Sequence, residues 1–479
     1  MNNFAGENLM KTILFGFLSL VCCLWFLALN ASSSTVQSTL LRNIGQEALN
    51  LSGLLSIALM SLCMLLSIRP AWLEKPLGGL DRIYRLHKWS GILAVGFGVI
   101  HWLVSDYGEE KDGDDDKYEG MADELADEME ESAEHKLAIV HEGVSSGLRD
   151  FGGDLGEPGF YLALIMLAVT LWKFVPYKLW RQLHRLMPII YLLLAFHAVV
   201  LAPRGYWTQA VGMLLAGCVV VGVVASIISL TGSIGRRRQV DGTVVSVNKN
   251  GNVTELRCRL DGRWKNHRPG QFAFITFKQR EGTHLASDLG GLFLRFEGAH
   301  PFSIASANRD DGTITFCIKD LGDFTRKIAQ QIQIGQPVRI EGPYGCFQVD
   351  RHSRNRRQIW VAGGIGITPF LASLESRKLN PANAPEVDLH YCTRDRDTDA
   401  FATRLQDLCS ALLGVRLFIH SAKHGELLTA QSLELADNPN RKAEVWFCGP
   451  HALANSLKNG LKKTWNGGLR FHQEAFEFR

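Results

Sequence analysis

Four histidines stand out by where they lie and how far apart they are. His87 and His101 flank or lie within one apolar stretch, and His184 and His197 do the same in another. Ionisable side chains in such stretches cost free energy and mark a function by default. Separations of 14 and 13 residues correspond to rises of about 21 and 20 Å at 1.5 Å per residue. Two such helices side by side offer one imidazole each at two depths, and a facing pair is an axial ligand set for haem iron. The 14-residue step returns to nearly the same helix face, within about 40°, whereas the 13-residue step misses by roughly 140° in a regular helix. Pro188, between His184 and His197, is expected to kink that helix and change its register. A lone membrane histidine is more often a packing residue or a proton relay. The matched four point instead to two b-type haems, one held by His87 and His184, the other by His101 and His197.

A second set lies in the C-terminal half. Ile359-Trp-Val-Ala-Gly-Gly-Ile-Gly-Ile-Thr-Pro369 places Gly363, Gly364, Gly366, Thr368 and Pro369 between an apolar strand pattern and an amphipathic helix. Glycines there let the backbone approach a pyrophosphate, and the helix start favours its charge. The run 389–393 reads as the next strand, followed by Arg394, Asp395 and Arg396. One or both arginines suit a nucleotide 2′-phosphate, favouring NADPH over NADH. With Asp395 and Asp397 beside them, solvated loop charge is the plainer reading. His300-Pro-Phe-Ser-Ile-Ala-Ser306 supplies an aromatic face, a short hydroxyl and a donor for an anion.

Those residues need elements to hold them. Charge-free runs at 13–29, 48–68, 89–104, 158–172, 186–202 and 206–234 approach the roughly 20 apolar residues that cross hydrocarbon as a helix. They predict six membrane spans. The first also has the form of a signal peptide, with Lys11 ahead of the run and small residues after it. Lys and Arg in short loops set the direction. Arg69, Lys75, Arg82, Arg85 and Lys88 lie between runs two and three, Lys173, Lys178, Arg181 and Arg185 between runs four and five, and Arg236, Arg237 and Arg238 after run six. These places share the cytoplasmic side, so both termini are expected there, in a bacterial inner membrane.

The far side receives a segment with 15 acids and two bases between Asp106 and Glu134, a net −13 in a chain of net +3. It reads as a solvated, partly helical linker that concentrates cations. Asp112, Asp114 and Asp116 faintly resemble a calcium loop, but Lys117 stands where a glycine is needed. With 46% hydrophobic and 21% charged residues the chain is not disordered, and the apolar first half excludes a simple soluble protein. No nucleic-acid partner is expected. The 10 cysteines include no pair at zinc spacing and none in the acidic segment, so disulfides and structural zinc are not expected either.

From Gln239 the composition changes to alternating β-branched and aromatic residues with glycine turns. Runs at 240–247, 254–260, 272–277 and 313–318 read as strands of a small antiparallel barrel. The expected architecture is a multidomain membrane protein. An all-α six-helix bundle occupies 1–235, with an acidic extracytoplasmic loop at 106–157. An antiparallel β-barrel follows over 236–350, and an α/β parallel-sheet nucleotide-binding domain over 351–479.

Two spans each carrying two histidines in a six-span bundle resemble the ferric reductase and NADPH oxidase superfamily. Leu80-Asp-Arg-Ile-Tyr-Arg-Leu-His87-Lys-Trp89 resembles the start of its third span. The His300–Ser306 motif resembles the flavin motif of the ferredoxin–NADP reductase fold in that superfamily. The resemblance implies FAD, with Phe302 against the isoalloxazine, Ser303 bonding its edge, His300 near the pyrophosphate, and Pro301 within the same site. Arg268-Pro-Gly-Gln-Phe272 and Lys319-Asp-Leu-Gly-Asp-Phe-Thr325 match further segments, which implies Lys319, Gly322 and Thr325 at the flavin phosphates. Glu341-Gly-Pro-Tyr-Gly345 closes the domain.

The glycine loop resembles the family's nicotinamide-nucleotide loop rather than the usual Rossmann spacing. Val445-Trp-Phe-Cys-Gly-Pro450 resembles the segment that sets a cysteine beside the nicotinamide, here Cys448 with Gly449 and Pro450; an inert core cysteine is the alternative. Phe471-His-Gln-Glu-Ala-Phe-Glu-Phe-Arg479 resembles the aromatic terminus that covers the flavin until nicotinamide displaces it. Glu474-Ala-Phe476 points to Phe476, with Phe478 as the rival. The acidic insert stands apart from the resemblance.

The combined expectation is an NAD(P)H-dependent transmembrane oxidoreductase with FAD and two haems b, with Ser303, Cys448 and Phe476 as its catalytic residues. A flavin is needed because it converts a two-electron donor into single-electron steps. A ferric chelate outside is the first expectation for the acceptor and dioxygen, giving superoxide, the alternative. No motif separates them. Two other readings are a membrane-anchored reductase for a cytoplasmic iron–sulfur protein and a haem-binding sensor. No protein partner is legible. With no regulatory region ahead of the spans, constitutive activity is expected.

Overall fold

A computed structural model describes residues 2–32, 40–112, 133–172, 174–262, 264–278, 298–309, 311–349, 356–381, 385–436, 442–465 and 468–474. The chain divides into two compact units. One comprises Leu9–Ala71 and Arg82–Ile234; the other comprises Met1–Asn8, Trp72–Asp81 and Gly235–Arg479.

The first unit is helical: α1 (Asn2–Ser32), α2 (Leu40–Ser67), α4 (Leu80–Asp112), α5 (Ala133–Leu171), α6 (Tyr177–His184), α7 (Met187–Leu201) and α8 (Ala210–Leu230). Among the described residues, 6 helical stretches are long and apolar enough to cross a membrane. They are Leu9–Asn30, Ile44–Ser67, Leu80–Tyr107, Ser146–Leu171, Leu179–Leu201 and Ala210–Leu230. Each overlaps a predicted run, but the bounds differ. A charge-free run stops at the first Lys or Arg, whereas helical hydrogen bonding continues through it, so α4 already contains Arg82, Arg85 and Lys88.

The fifth span is broken, with α6 ending at His184 and α7 starting at Met187. Pro188 lies four residues past His184. It has no N–H to donate to the His184 carbonyl, and its ring would collide with that oxygen in a continuous helix. Shorter bonds take over at the break, from Leu186 N to Leu183 O at 2.9 Å and from Ile189 N to Leu186 O at 2.9 Å.

The second unit holds two β lobes. In the first, β1 (Gln239–Asn250), β2 (Val253–Leu260), β3 (Phe272–Phe277), β4 (His300–Ser303), β5 (Thr313–Lys319) and β6 (Pro337–Tyr344) form an antiparallel sheet of order β4-β3-β6-β1-β2-β5. A bridge between Ile304 and Phe316 joins its two edges and closes it as a barrel. Burial alternates along β2, and Val244, Leu256, Cys258, Ile275, Phe316 and Ile340 fill the interior. The helix α9 (Asp323–Gln331) follows β5.

In the second lobe, β7 (Arg357–Gly363), β8 (Val387–Thr393), β9 (Val415–Ser421), β10 (Ala443–Cys448) and β11 (Leu469–Glu474) form a parallel sheet of order β11-β10-β7-β8-β9. The helices α10 (Thr368–Leu379) and α11 (Ala402–Ser410) pack over Trp360, Leu389 and Tyr391. The other face, with Ile359, Val361, Val445 and Phe447, is covered by α13 (His451–Thr464), beside the short α12 (Ala430–Ala436). Arg404 on α11 bridges the lobes, bonding Glu255 on β2 and Glu375 on α10, the latter at 3.0 Å.

Most of α3 (Ala71–Leu77), the link between spans two and three, also belongs to this second unit. Glu74 is buried, and its carboxylate accepts the Gly345 N–H at 2.6 Å and an Arg238 N–H at 3.2 Å. Arg238 further donates to Pro343 O at 3.1 Å and lies over the Tyr344 ring, 4.7 Å from its centroid. A buried carboxylate persists only when paired and hydrogen-bonded. Glu74→Ala should therefore cost this unit about 2 kcal/mol, and Glu74→Gln, which still accepts from Gly345, should cost less. Thermal melts of the full chain in detergent measure both; an unchanged midpoint for Glu74→Ala would remove Glu74 from this role.

Candidate functional site

The α4 helix is unbroken from His87 to His101, so the 14-residue step leaves both imidazoles on one face, with the small, buried Ala94 midway. The break in the fifth span supplies the rotation that a regular helix would lack between His184 and His197. The four histidines meet as two pairs. The His87 and His184 ring centroids are 6.1 Å apart with planes at 75°, and those of His101 and His197 are 6.2 Å apart at 89°.

Hydrogen bonds orient these rings. His87 Nδ1 lies 3.0 Å from Cys63 O and His101 Nδ1 lies 2.9 Å from Leu49 O, both on α2. His197 Nδ1 lies 2.8 Å from Gly152 O on α5. A carbonyl only accepts, so each of these Nδ1 atoms carries the proton and Nε2 keeps its lone pair for a metal. Glycine makes the approach possible. A Cβ on Gly53 would stand 2.9 Å from His101 Cε1, and one on Gly156 would collide with the His197 ring.

The residues fit haem. Two metal–nitrogen bonds of about 2 Å, plus a ring radius of roughly 1 Å on either side, put the centroids of a bis-imidazole pair about 6 Å apart.

In the barrel lobe, β4 runs beside β3, with Ser303 opposite Phe272, Phe302 opposite Ala273 and Pro301 opposite Phe274. Ser303 is buried and Phe302 half-buried. His300 stacks on Phe324 in the first turn of α9, with centroids 3.3 Å apart. Gly322 precedes that helix in extended backbone, and Thr325 Oγ1 accepts the Leu321 and Gly322 N–H groups, each at 3.0 Å. The Thr325 hydroxyl therefore shapes the turn, leaving the N–H groups at the helix start to face an anion. Lys319 Nζ reaches from the end of β5 to within 3.7 Å of where a Cβ on Gly364 would lie.

The nucleotide loop follows β7. Gly364 has φ +55°, a left-handed conformation that favours glycine. A side chain on Gly366 would strike the Cys448 carbonyl, and one on Gly363 would stand 2.7 Å from Pro450 Cδ, with Gly449 Cα at 3.5 Å. Thr368 opens α10, its hydroxyl bonding Ile365 O at 3.1 Å, and Pro369 follows in the first turn. The loops after β7 and β10 thus interlock at the carboxyl ends of adjacent parallel strands. Strand order reverses at that point, β8 and β9 lying to one side and β10 and β11 to the other, which is where open α/β sheets bind ligands.

Beyond β8 the structure divides the two arginines. Arg396 pairs with Glu426 at 2.7 Å, whereas Arg394 is exposed; Lys423 pairs with Asp395 at 2.7 Å. Cys448 is buried, and burial together with the nearby Glu474 carboxyl pushes its thiol well above the ordinary cysteine range. Glu474 lies opposite Cys448 in the β10–β11 register, and its Oε2 is buried without a hydrogen-bond partner. Burial, then Asp81, pushes this carboxyl well above 4.5. Phe476 and Phe478 lie outside the described residues, as does most of the acidic segment.

Sequence reasoning missed Glu74 and the part played by Gly53 and Gly152. For Gly152 and Gly156 a signal was present, since small residues four apart mark close helix approach in membranes.

Residues 52–195 match the family model of a ferric reductase like transmembrane component, and residues 239–348 that of an FAD-binding domain. The chain is 31% identical over 153 residues to a vanillate O-demethylase oxidoreductase of Pseudomonas putida, covering 32% of this chain and 45% of that protein. It is 32% identical over 155 residues to a heme-dependent oxidative N-demethylase beta subunit of Ectopseudomonas mendocina, again covering 32% and 45%. The chain spans about half the length of the curated relatives it matches. Among solved structures, a flavohemoglobin from Malassezia yamatoensis overlays at TM-score 0.43 and 15% identity, over 67% of this chain and 85% of that one. That overlay is too loose to inform chemistry.

Two outcomes follow from this geometry. Gly156→Ala should displace His197 and lower haem bound per chain, whereas Gly153→Ala on the same helix, with nothing within 4 Å, should keep it and gain up to about 1 kcal/mol of helix stability. Equal haem content in both variants would refute the packing argument. Glu474 has a raised folded-state pKa, so its contribution to stability is greatest below about 4.5 and is lost as pH rises toward the folded value. Glu474→Gln should therefore gain stability relative to the parent at pH 8 more than at pH 5. Denaturant melts at the two pH values decide this, and a pH-independent difference would contradict it.

Proposed function

Taking as premise that this chain belongs to the ferric reductase-like transmembrane oxidoreductases with a fused flavin domain of ferredoxin–NADP reductase type, we propose that it moves electrons from cytoplasmic NAD(P)H to an acceptor beyond a bacterial inner membrane. The observation that carries this reading is the pairing of His87 with His184 and of His101 with His197. FAD, when bound, supplies the conversion of a hydride into single electrons, and haem b supplies one-electron carriage.

The chain's own residues bind, orient and insulate. The glycine loop and the start of α10 take the dinucleotide pyrophosphate. Arg394 and Arg396 are the residues proposed to meet a ribose 2′-phosphate, favouring NADPH. Cys448 keeps a neutral thiol at the nicotinamide, with Gly449 and Pro450 shaping its loop. Phe302 covers the flavin face, Ser303 bonds its edge, and His300, Lys319 and the start of α9 receive its phosphates. Phe476 covers the flavin until nicotinamide displaces it. The proposed domains keep the boundaries 1–235, 236–350 and 351–479.

A ferric chelate is the proposed acceptor, supported by the net −13 segment, which raises the local cation concentration. Dioxygen is the alternative. A second reading draws on the relatives, whose names are those of oxygenase and demethylase reductases: the flavin half then serves a protein partner, and the bundle is an anchor.

The test is a reduced-minus-oxidised spectrum of membranes after NADPH addition, which should show a b-type band. His101→Leu should then lose one haem and external ferric reduction while cytoplasmic dye reduction persists. A missing haem band, or ferric reduction unaffected by His101→Leu, would overturn the relay in favour of the anchored reductase. Superoxide trapping alongside the ferric assay identifies the acceptor.

A further inference from the structure

Three of the four imidazoles are tethered through Nδ1 and one is not. The tethers follow a repeat. Leu49 and Cys63, whose carbonyls hold His101 and His87, are as far apart on α2 as the two histidines are on α4. On α5, Gly152 O holds His197, and the same step along that helix reaches Met166, whose carbonyl is the one the repeat would offer to His184.

That carbonyl accepts the Thr170 hydroxyl at 2.7 Å instead. Thr170 Oγ1 in turn accepts the Trp180 indole N–H at 3.2 Å. The Trp180 ring lies stacked on His184, with centroids 5.4 Å apart and planes at 25°. His184 Nδ1 is left buried with no hydrogen-bond partner.

An Nδ1–H that donates to a carbonyl makes the imidazole a stronger electron donor and stabilises an oxidised metal. Removing that bond raises the reduction potential. The apolar indole over His184 acts in the same direction, by excluding water from the ligand that must support the more positive state.

We propose that Trp180 and Thr170, by denying His184 an acceptor, make the His87–His184 centre the higher-potential of the two. Trp180 is thus a positioning and tuning residue, acting through His184. The inference rests on the haem reading above, and a one-electron couple is all it involves. Electrons are held more tightly at that centre, so the His101–His197 centre stays oxidised until the other is filled.

The test is an optical redox titration of the full, haem-loaded chain in detergent. Two one-electron waves should be resolved by at least a tenfold ratio of equilibrium constants, about 59 mV. The higher wave should survive in His101→Leu and be lost in His87→Leu. Should either variant lose both haems, Trp180→Gln decides alone. It offers His184 a side-chain carbonyl from one turn away and should lower the higher wave relative to Trp180→Leu, which offers none. Equal potentials in the two Trp180 variants, or a higher wave that survives in His87→Leu, would overturn the inference while leaving the haem reading intact. Absence of any haem band overturns both.

Discussion

An imidazole carried into hydrocarbon has two ring nitrogens, and water is available to neither. In the bundle this constraint is met at three of the four histidines, His87, His101 and His197, by giving Nδ1 to a backbone carbonyl of a neighbouring helix. The consequences spread outward. A backbone carbonyl is within reach of a ring only where two helices come close, which requires glycine at Gly53 and Gly156. Because α2 and α4 are both regular between the two levels, one step along α4 is matched by an equal step along α2. Two tethers at one spacing therefore fix both the depth and the facing direction of His87 and His101.

The flavin and nucleotide unit solves a different problem, the holding of anions, and does so mainly with backbone. The loops after β7 and β10 come into contact through their glycines, since a side chain at Gly363 or Gly366 would meet the loop after β10. A cation appears where β5 ends, at Lys319. The buried Cys448 thiol at this crossing is pushed well above the ordinary cysteine range by burial and by the neighbouring Glu474, which makes it a poor nucleophile.

Much of this was legible in the sequence because it rests on periodicity. Apolar runs announced six helices, alternation announced four of the six barrel strands but not β4 or β6, and the glycine loop fell between a strand and a helix as its composition required. The pairing of His87 with His184 and of His101 with His197 could be reached from spacing once Pro188 was allowed to break the helix. Span limits were less legible, because hydropathy records where charge begins and helical hydrogen bonding does not stop there. Glu74 carried no signal at all. It is one of two acids among five bases in its loop, and its role depends on the Gly345 N–H and the Arg238 guanidinium, both more than 160 residues away in sequence. The tether on His197 depends on which carbonyl of α5 passes the ring, a matter of helix rotation that no residue type encodes.

Pro188 links the geometry of the fifth span to its chemistry. A 13-residue spacing in a regular helix would send His184 and His197 to different faces. Proline four residues past His184 ends α6 at that histidine, and the turn between α6 and α7 restores the facing. The same break separates the two histidines from a common helical frame, so the repeat that serves α2 and α4 is not imposed on α5 and the segments α6 and α7. His197 stays in register with Gly152, while the carbonyl due to His184 is taken by Thr170. The two histidine pairs are thereby alike in composition and unlike in their support. That asymmetry follows from a spacing of 13 rather than 14.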